Sequence, residues 1–148
     1  VSLPRRRDVL LDTGPIVATL NASDQWHRSC AGAVTALIER CITTEAVVTE
    51  ACHLVGRGSA RASLVLDFLL DADVPILSLD RPAMRHAARL MDRYATVPMD
   101  FADAALVTLA DALQIGAVLT TDRRGFHAYR PASGRAFRIY PRDGAAVE

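Results

Sequence analysis

The sequence contains no lysine: all 17 basic residues are arginine, against 17 acids. This excludes sites that need a lysine, such as a P-loop, a Schiff-base enzyme, a phosphoacceptor receiver domain or a haloacid-dehalogenase-type phosphatase. Cysteine is scarce and badly spaced. Cys30, Cys41 and Cys52 are odd in number and form no C-x-x-C, which argues against a zinc ribbon and a disulfide scaffold. His27, His53, His86 and His127 are scattered, with no H-x-x-x-H. No apolar run approaches the roughly 18–20 residues of a membrane span. The basic start is followed by only Val9, Leu10 and Leu11, too short for the apolar part of a signal peptide. A reduced, cytoplasmic protein with no membrane partner is expected. Aromatic residues make up 5% of the chain, and the zero net charge argues weakly against nucleic-acid binding.

What is present suits one globular domain over residues 1–148, with a core at about 8–140 and short extensions at both ends. Val9–Leu11 reads as a buried strand, and Pro15 opens a short helix after it. Ser23 or Asp24 is placed to cap a helix carrying Trp26, Cys30, Ala33, Val34, Leu37 and Ile38 at three- and four-residue spacing. A brief strand is expected at Cys41–Thr43, then a helix capped by Thr44 and ended after Val55 by Gly56 and Gly58. A helix over Ala60–Leu70 precedes a turn at Asp71–Asp73 and a strand at Val74–Leu79. Asp80 caps a helix to about Tyr94, and Asp100 caps another over Phe101–Leu113, ended by Gly116. Strands follow at Ala117–Thr120 and Phe137–Tyr140, and the end after Pro141 reads as frayed. Strands alternating with helices predict an α/β fold with a parallel sheet covered on both faces.

Several acids stand in unusual places. Asp12 ends the first strand and Asp122 follows the Ala117–Thr120 strand; carboxyl ends of parallel strands border the ligand crevice. Each is equally an ordinary turn or cap residue. Glu50 shares a helix face with Val47, Ala51 and Leu54, where an unpaired carboxylate costs several kcal/mol on the order of magnitude for buried ions. It is either a site residue or a half-exposed edge of that stripe. Asp103 lies in a helix of Ala, Leu and Val, with Asp100 three residues earlier. Both also complement the positive helix end, worth about 0.3–1 kcal/mol each. Clustered acids with no lysine or histidine beside them suit Mg²⁺ or Mn²⁺, which prefer oxygen ligands. Such an ion activates water for attack on phosphate.

Three stretches in order, VLLDTGPIVATL, TTEAVVTEACHLVGR and MDFADAALVTLADALQIGAVLTTDRRGF, resemble the PIN-domain ribonucleases, most of all the VapC toxins of bacterial toxin–antitoxin pairs. The resemblance spans residues 9–126. It implies a PIN-like three-layer α/β/α domain with a central parallel sheet of four or five strands. It implies Mg²⁺-dependent (or Mn²⁺-dependent) hydrolysis of RNA, leaving a 5′-phosphate and a 3′-hydroxyl. The family's acidic quartet falls on Asp12, Glu50, Asp103 and Asp122, with Asp100 as an additional metal-site acid. Thr13 and Thr120 are candidates for supporting hydrogen bonds. The expected partners are an RNA substrate (transfer or ribosomal), a VapB-like antitoxin, and a second copy of the chain or a toxin–antitoxin hetero-oligomer.

Two arginine-rich regions are candidates for touching RNA. Arg81, Arg85, Arg89 and Arg93 form a basic stripe opposite Met84, Ala87, Ala88 and Met91, unless this is simply a solvated face. From Arg123 to Arg142 there are six arginines and no acid, with Phe126, His127, Tyr129, Phe137 and Tyr140 between them. Arg123 and Arg124, directly after Asp122, are the best-placed phosphate contacts. Two rival readings remain: a PIN nuclease of housekeeping RNA processing, and a non-catalytic module whose acids hold a structural cation. An aspartyl phosphatase is disfavoured, because Asp12-Thr13-Gly14 lacks the second Asp of D-x-D.

Overall fold

Val9–Leu11 (β1) and Ala117–Leu119 (β4) are completely buried, as unbroken apolar triplets should be in the middle of a parallel sheet covered on both faces. A computed structural model describes residues 6–58 and 60–142. The end of the chain expected to fray, from residue 143 onward, and most of the N-terminal extension lie outside the described residues. The remaining strands are Cys41–Thr44 (β2), Ile76–Leu77 (β3) and Arg138–Tyr140 (β5). All pair in parallel in the order β3-β2-β1-β4-β5. The helices are Thr13–Leu20 (α1), His27–Leu37 (α2), Glu45–Gly56 (α3), Ser63–Asp71 (α4), Arg81–Arg93 (α5), Phe101–Leu113 (α6) and Arg123–Ala128 (α7).

The strand order steps outward from β1 to β3, then crosses back to β4 and β5. With right-handed crossovers, α1 to α4 cover one face and α5 to α7 the other. The expected three layers are present. Between β1 and β4 the direction of winding reverses. That switch point opens a crevice at the carboxyl ends of the two strands. Their register pairs Leu11 with Leu119, so the residues that follow, Asp12 and Thr120, emerge side by side.

α6 is the most enclosed helix. Ala102 and every residue from 104 to 110 are buried, which the alanines permit by letting neighbouring backbones come close. Its end differs from the expectation. Gln114, in the left-handed region at φ 56°, terminates it, and Gly116 merely leads into β4.

Other boundaries also moved. Asp24 does not cap α2; its side chain accepts from Trp26 N at 2.7 Å in the turn before the helix. α1 starts at Thr13, so Pro15 lies inside its first turn. On α3 the buried stripe is Val47, Ala51 and Val55, while Leu54 is 40% exposed. On α5 the inward residues are Ala87 and Leu90; Met84, Ala88 and Met91 are exposed beside the arginines.

α7 was not expected, because a six-residue helix shows less than two turns of periodicity. It changes the meaning of the arginine-rich tail. Phe126, Tyr129 and Phe137 are core residues, not an RNA-stacking surface. Phe126 meets Tyr129 and Phe137 edge-on at 5.3 and 5.6 Å, and Tyr129 meets Tyr94 at 5.2 Å. Such pairs contribute about 0.5–1.5 kcal/mol each beyond their burial. Cys30 and Cys41 are buried, with thiols pushed by burial up to about 11 and about 12; Cys52 is half-buried.

Candidate active site

The site is built where β1 and β4 end. Asp12 follows β1, is 6% exposed, and its backbone N–H donates to Leu119 O at 3.0 Å. Thr120, fully buried after β4, donates its hydroxyl to Asp12 Oδ2 at 2.6 Å. The same Thr120 oxygen accepts from Asp122 N at 2.9 Å. One hydroxyl therefore ties the two strand-end acids together. Asp122 in turn caps α7, accepting from Gly125 N at 3.0 Å.

Close approach shapes both turns. A Cβ on Gly14 would collide with the Thr121 side chain, so α1 can start against the β4 turn only with glycine there. A Cβ on Gly125 would collide with the Asp122 carboxylate and stand 3.0 Å from Tyr129 Cε2.

The other acids come from helices. Asp100 and Asp103 form a reciprocal capping box at the start of α6. Asp103 N donates to Asp100 Oδ1 at 2.9 Å, and Asp100 N donates to Asp103 Oδ2 at 3.2 Å. This fulfils the bland reading of both residues without removing them from the site. Glu50 is half-buried at the edge of the α3 stripe.

These acids act on one another electrostatically. Burial pushes Asp12 up to about 6, held back by the Thr120 hydrogen bond and raised further by Asp122 and Asp100. Burial, then Asp12 and Asp100, push Asp103 up to about 8. Glu50 is also raised, by burial first and then by Asp100 and Asp12. No arginine or histidine is among the groups that act most on these three carboxyls. The five predicted acids thus share one neighbourhood, and Asp12, Glu50 and Asp103 are acted on there chiefly by burial and by other acids. Thr13 lies beside Glu50, and its buried hydroxyl partly offsets the rise of that carboxyl.

As placed, no three His, Cys, Asp or Glu side chains among the described residues enclose an ion. The physical reason is visible in their bonds. Asp122 and Asp103 each turn an oxygen onto a helix-start N–H, and Asp12 turns one onto Thr120. Like charges have no reason to converge without a cation between them. The donor chemistry nevertheless fits a hard divalent cation: the ligands are all oxygen, and the carboxyls raise one another.

Tyr129 is a site neighbour that sequence reasoning missed. Its hydroxyl donates to Pro98 O at 2.6 Å and lies 3.5 Å from Asp103 Oδ2. The ring is fully buried, and its proton is held more tightly than in an ordinary tyrosine, by burial first and then by Asp103. Nothing local signals a contact made across 26 residues. Of the two predicted phosphate contacts, Arg124 is exposed, whereas Arg123 is half-buried with Nη1 donating to Pro141 O at 2.5 Å.

The sequence matches the PIN domain family over residues 9–130, the span that carries all five acids. The chain belongs to the PIN-domain family. Among curated relatives, it is 30% identical over 135 residues to Ribonuclease VapC26 of Mycobacterium tuberculosis, covering 90% of this chain and all of that protein. Among solved structures, this PIN domain resembles Mycobacterium tuberculosis VapC20, a sarcin–ricin loop cleaving toxin. The TM-score there is 0.69 at 18% identity, over 74% of this chain and 86% of that one. It also resembles VapBC2 of Rickettsia felis bound to a promoter DNA fragment, with a TM-score of 0.62 at 14% identity, over 88% and 96% of the two chains. These structural likenesses bear on the fold, and they agree with the three-layer PIN arrangement. No helix among the described residues is long and apolar enough to cross a membrane.

Proposed function

We propose that this PIN domain is a VapC-type toxin: a ribonuclease, dependent on Mg²⁺ or Mn²⁺, that hydrolyses RNA phosphodiester bonds in the cytoplasm and is restrained by a VapB-like antitoxin. The observation that carries the reading is the meeting of Asp12, Glu50, Asp100, Asp103 and Asp122 at the switch point, where the acids raise one another. The relationship to Ribonuclease VapC26 supports RNA as the substrate. The likeness to VapBC structures supports the antitoxin partner.

Asp12, Glu50, Asp103 and Asp122 would hold the cation, with Asp100 as an additional ligand. Once bound there, a divalent cation neutralises charge on the phosphate and makes an attacking water more acidic. Thr120 keeps Asp12 ionisable despite its burial, by donating a hydrogen bond to the charged form. The capping box sets Asp103 relative to Asp100, and α7 sets Asp122. The exposed Arg124 guanidinium supplies a planar donor pair for a flanking phosphate.

The test is to map the 5′ ends of cellular RNA after brief expression of the chain. Purified protein is then assayed with Mg²⁺, with Mn²⁺ and with EDTA. Discrete cuts bearing a 5′-phosphate, lost with EDTA and in Asp12→Asn and Asp103→Asn, are expected. The cuts should persist when the 2′-hydroxyl at the scissile position is absent. Cleavage that survives both substitutions would assign the chemistry elsewhere. No cleavage under any condition would favour the cation-stabilised binding module.

A further inference from the structure

Beside the acids, a groove of about 660 Å³ opens between α3 and the start of α6. It is bordered by Glu45, Thr49, Glu50, His53, Asp100 and Phe101. Glu50 and Asp100 belong to the acidic cluster, so the groove is continuous with the site proposed above. A phosphodiester held at those acids leaves a neighbouring nucleotide facing this groove. The volume falls within the range of about 300–1,000 Å³ typical of small-ligand sites, enough for a nucleoside.

Its surface has the features of a base-binding site. Among the described residues, Phe101 is the one exposed aromatic side chain, at 41%; the other aromatics are buried or half-buried. A first-turn helix position does not require an aromatic residue, and a large part of this ring's surface is left open. A ring beside a catalytic cluster offers a flat face on which a base can stack.

The groove is largely apolar, and its other wall carries a row of side chains with polar ends. Glu45, Thr49 and His53 follow one another at four-residue spacing along α3, all exposed. Thr49 Oγ1 donates to Glu45 O at 2.9 Å, so its proton is spent and it offers lone pairs to a ligand. Glu45 Oε2 accepts from Ser78 Oγ at 2.7 Å, which steadies the carboxylate while leaving its other oxygen unoccupied by that bond. Two acceptors on one wall favour a base edge with adjacent N–H donors. Among the four bases, guanine presents that edge through N1–H and its exocyclic amine.

We propose that this groove receives the base adjacent to the scissile phosphate, that Phe101 stacks on it, and that Glu45 and Thr49 select guanine. The proposal rests on the ribonuclease reading. A second copy of the chain or a protein partner is the competing occupant.

The test uses the full chain with Mg²⁺ or Mn²⁺ on short single-stranded RNAs that differ in the bases flanking the cut. Wild type should prefer guanine on one side of the cut. Phe101→Ala should raise KM about tenfold, more than it lowers kcat, in line with a lost stacking contact. Phe101→Tyr should recover most of that loss, because it keeps a stacking ring, and Phe101→Leu should not. Glu45→Gln should narrow the kcat/KM ratio between guanine and the other bases. Thermal melting verifies that each variant is folded. The proposal is overturned if Phe101→Ala cuts with wild-type KM and preference, or if guanine preference survives Glu45→Gln. It is also overturned if Phe101→Ala alters self-association or partner binding on size exclusion while cleavage is unchanged. Wild-type protein that cuts no RNA at all would instead sink the ribonuclease reading, and this proposal with it.

Discussion

The Thr120 hydroxyl donates to Asp12 Oδ2 at 2.6 Å, joining residues 108 positions apart in the sequence at the bottom of the acidic crevice. Because the same oxygen accepts from Asp122 N, it serves both strand ends at once. Thr120→Val keeps the shape and removes both bonds. A buried acid and a backbone N–H then lose their partner, which costs about 1–3 kcal/mol. Urea denaturation should show that loss, and Mn²⁺ titration by calorimetry should show weaker binding. Thr120→Ser should retain most of both.

The acids make the cation-free protein sensitive to pH. Asp12 and Asp103 ionise at about 6 and about 8 in the folded chain, against 3.8 ordinarily. Between those limits the folded state binds more protons than the unfolded state, so stability from these groups falls as pH rises. The contribution is complete below 3.8 and is lost as pH climbs through the raised values. In EDTA, Asp103→Asn should flatten the decline in Tm between pH 5 and 8 and melt higher than wild type at pH 8. Saturating Mg²⁺ should restore wild type at pH 8. Parallel slopes for the two proteins in EDTA would refute the electrostatic account.

Gly125→Ala and Gly32→Ala should have opposite effects. A methyl at 125 meets the Asp122 carboxylate and the Tyr129 ring, and overpacking of this kind costs about 1–3 kcal/mol. It also displaces a site acid, so RNA cleavage should fall at least as much as stability. At Gly32, on the exposed side of α2, an added Cβ meets nothing within 4 Å. That variant should gain about 0.5–1 kcal/mol, with cleavage unchanged. Chemical denaturation and one cleavage assay check both.

Arg123 and Arg124 should separate by role. Arg124→Ala should weaken RNA binding and reduce the salt dependence of binding by about one unit in log–log slope, with Tm unchanged. Arg123→Ala removes the bond to Pro141 O and should lower Tm. Binding isotherms at several salt concentrations, set beside thermal melts, distinguish the two.

Much of this molecule was legible in its sequence. Val9–Leu11 and Ala117–Leu119 are apolar triplets closed by polar turns, and both are central strands. Asp80 and Asp100 were recognisable as caps, and both side chains accept from a backbone N–H three residues on. The resemblance singled out Asp12, Glu50, Asp100, Asp103 and Asp122, and the fold brings them into one electrostatic neighbourhood. Misreadings arose where neighbours in space are strangers in sequence. Leu54 repeats at helical spacing with Val47 and Ala51 yet stays exposed, while the next residue, Val55, completes the buried stripe. Phe126, Tyr129 and Phe137 alternate with arginines like an RNA-binding tail yet are core, because α7 and β5 turn them onto one another.

Apart from α7 and the shifted boundaries, the sequence by itself determined which segments become helix or strand, and which acids stand at their ends. Those properties depend on residues within a few positions of each other. Only the tertiary structure decided that one threonine hydroxyl joins Asp12 to Asp122, that Tyr129 reaches toward Asp103, and that Phe101 stands exposed beside a groove. Each of these depends on the strand order that sets β4 beside β1 or on the packing of α3, α6 and α7 around it. Burial and approach distance are properties of the assembled layers, and no local pattern encodes them.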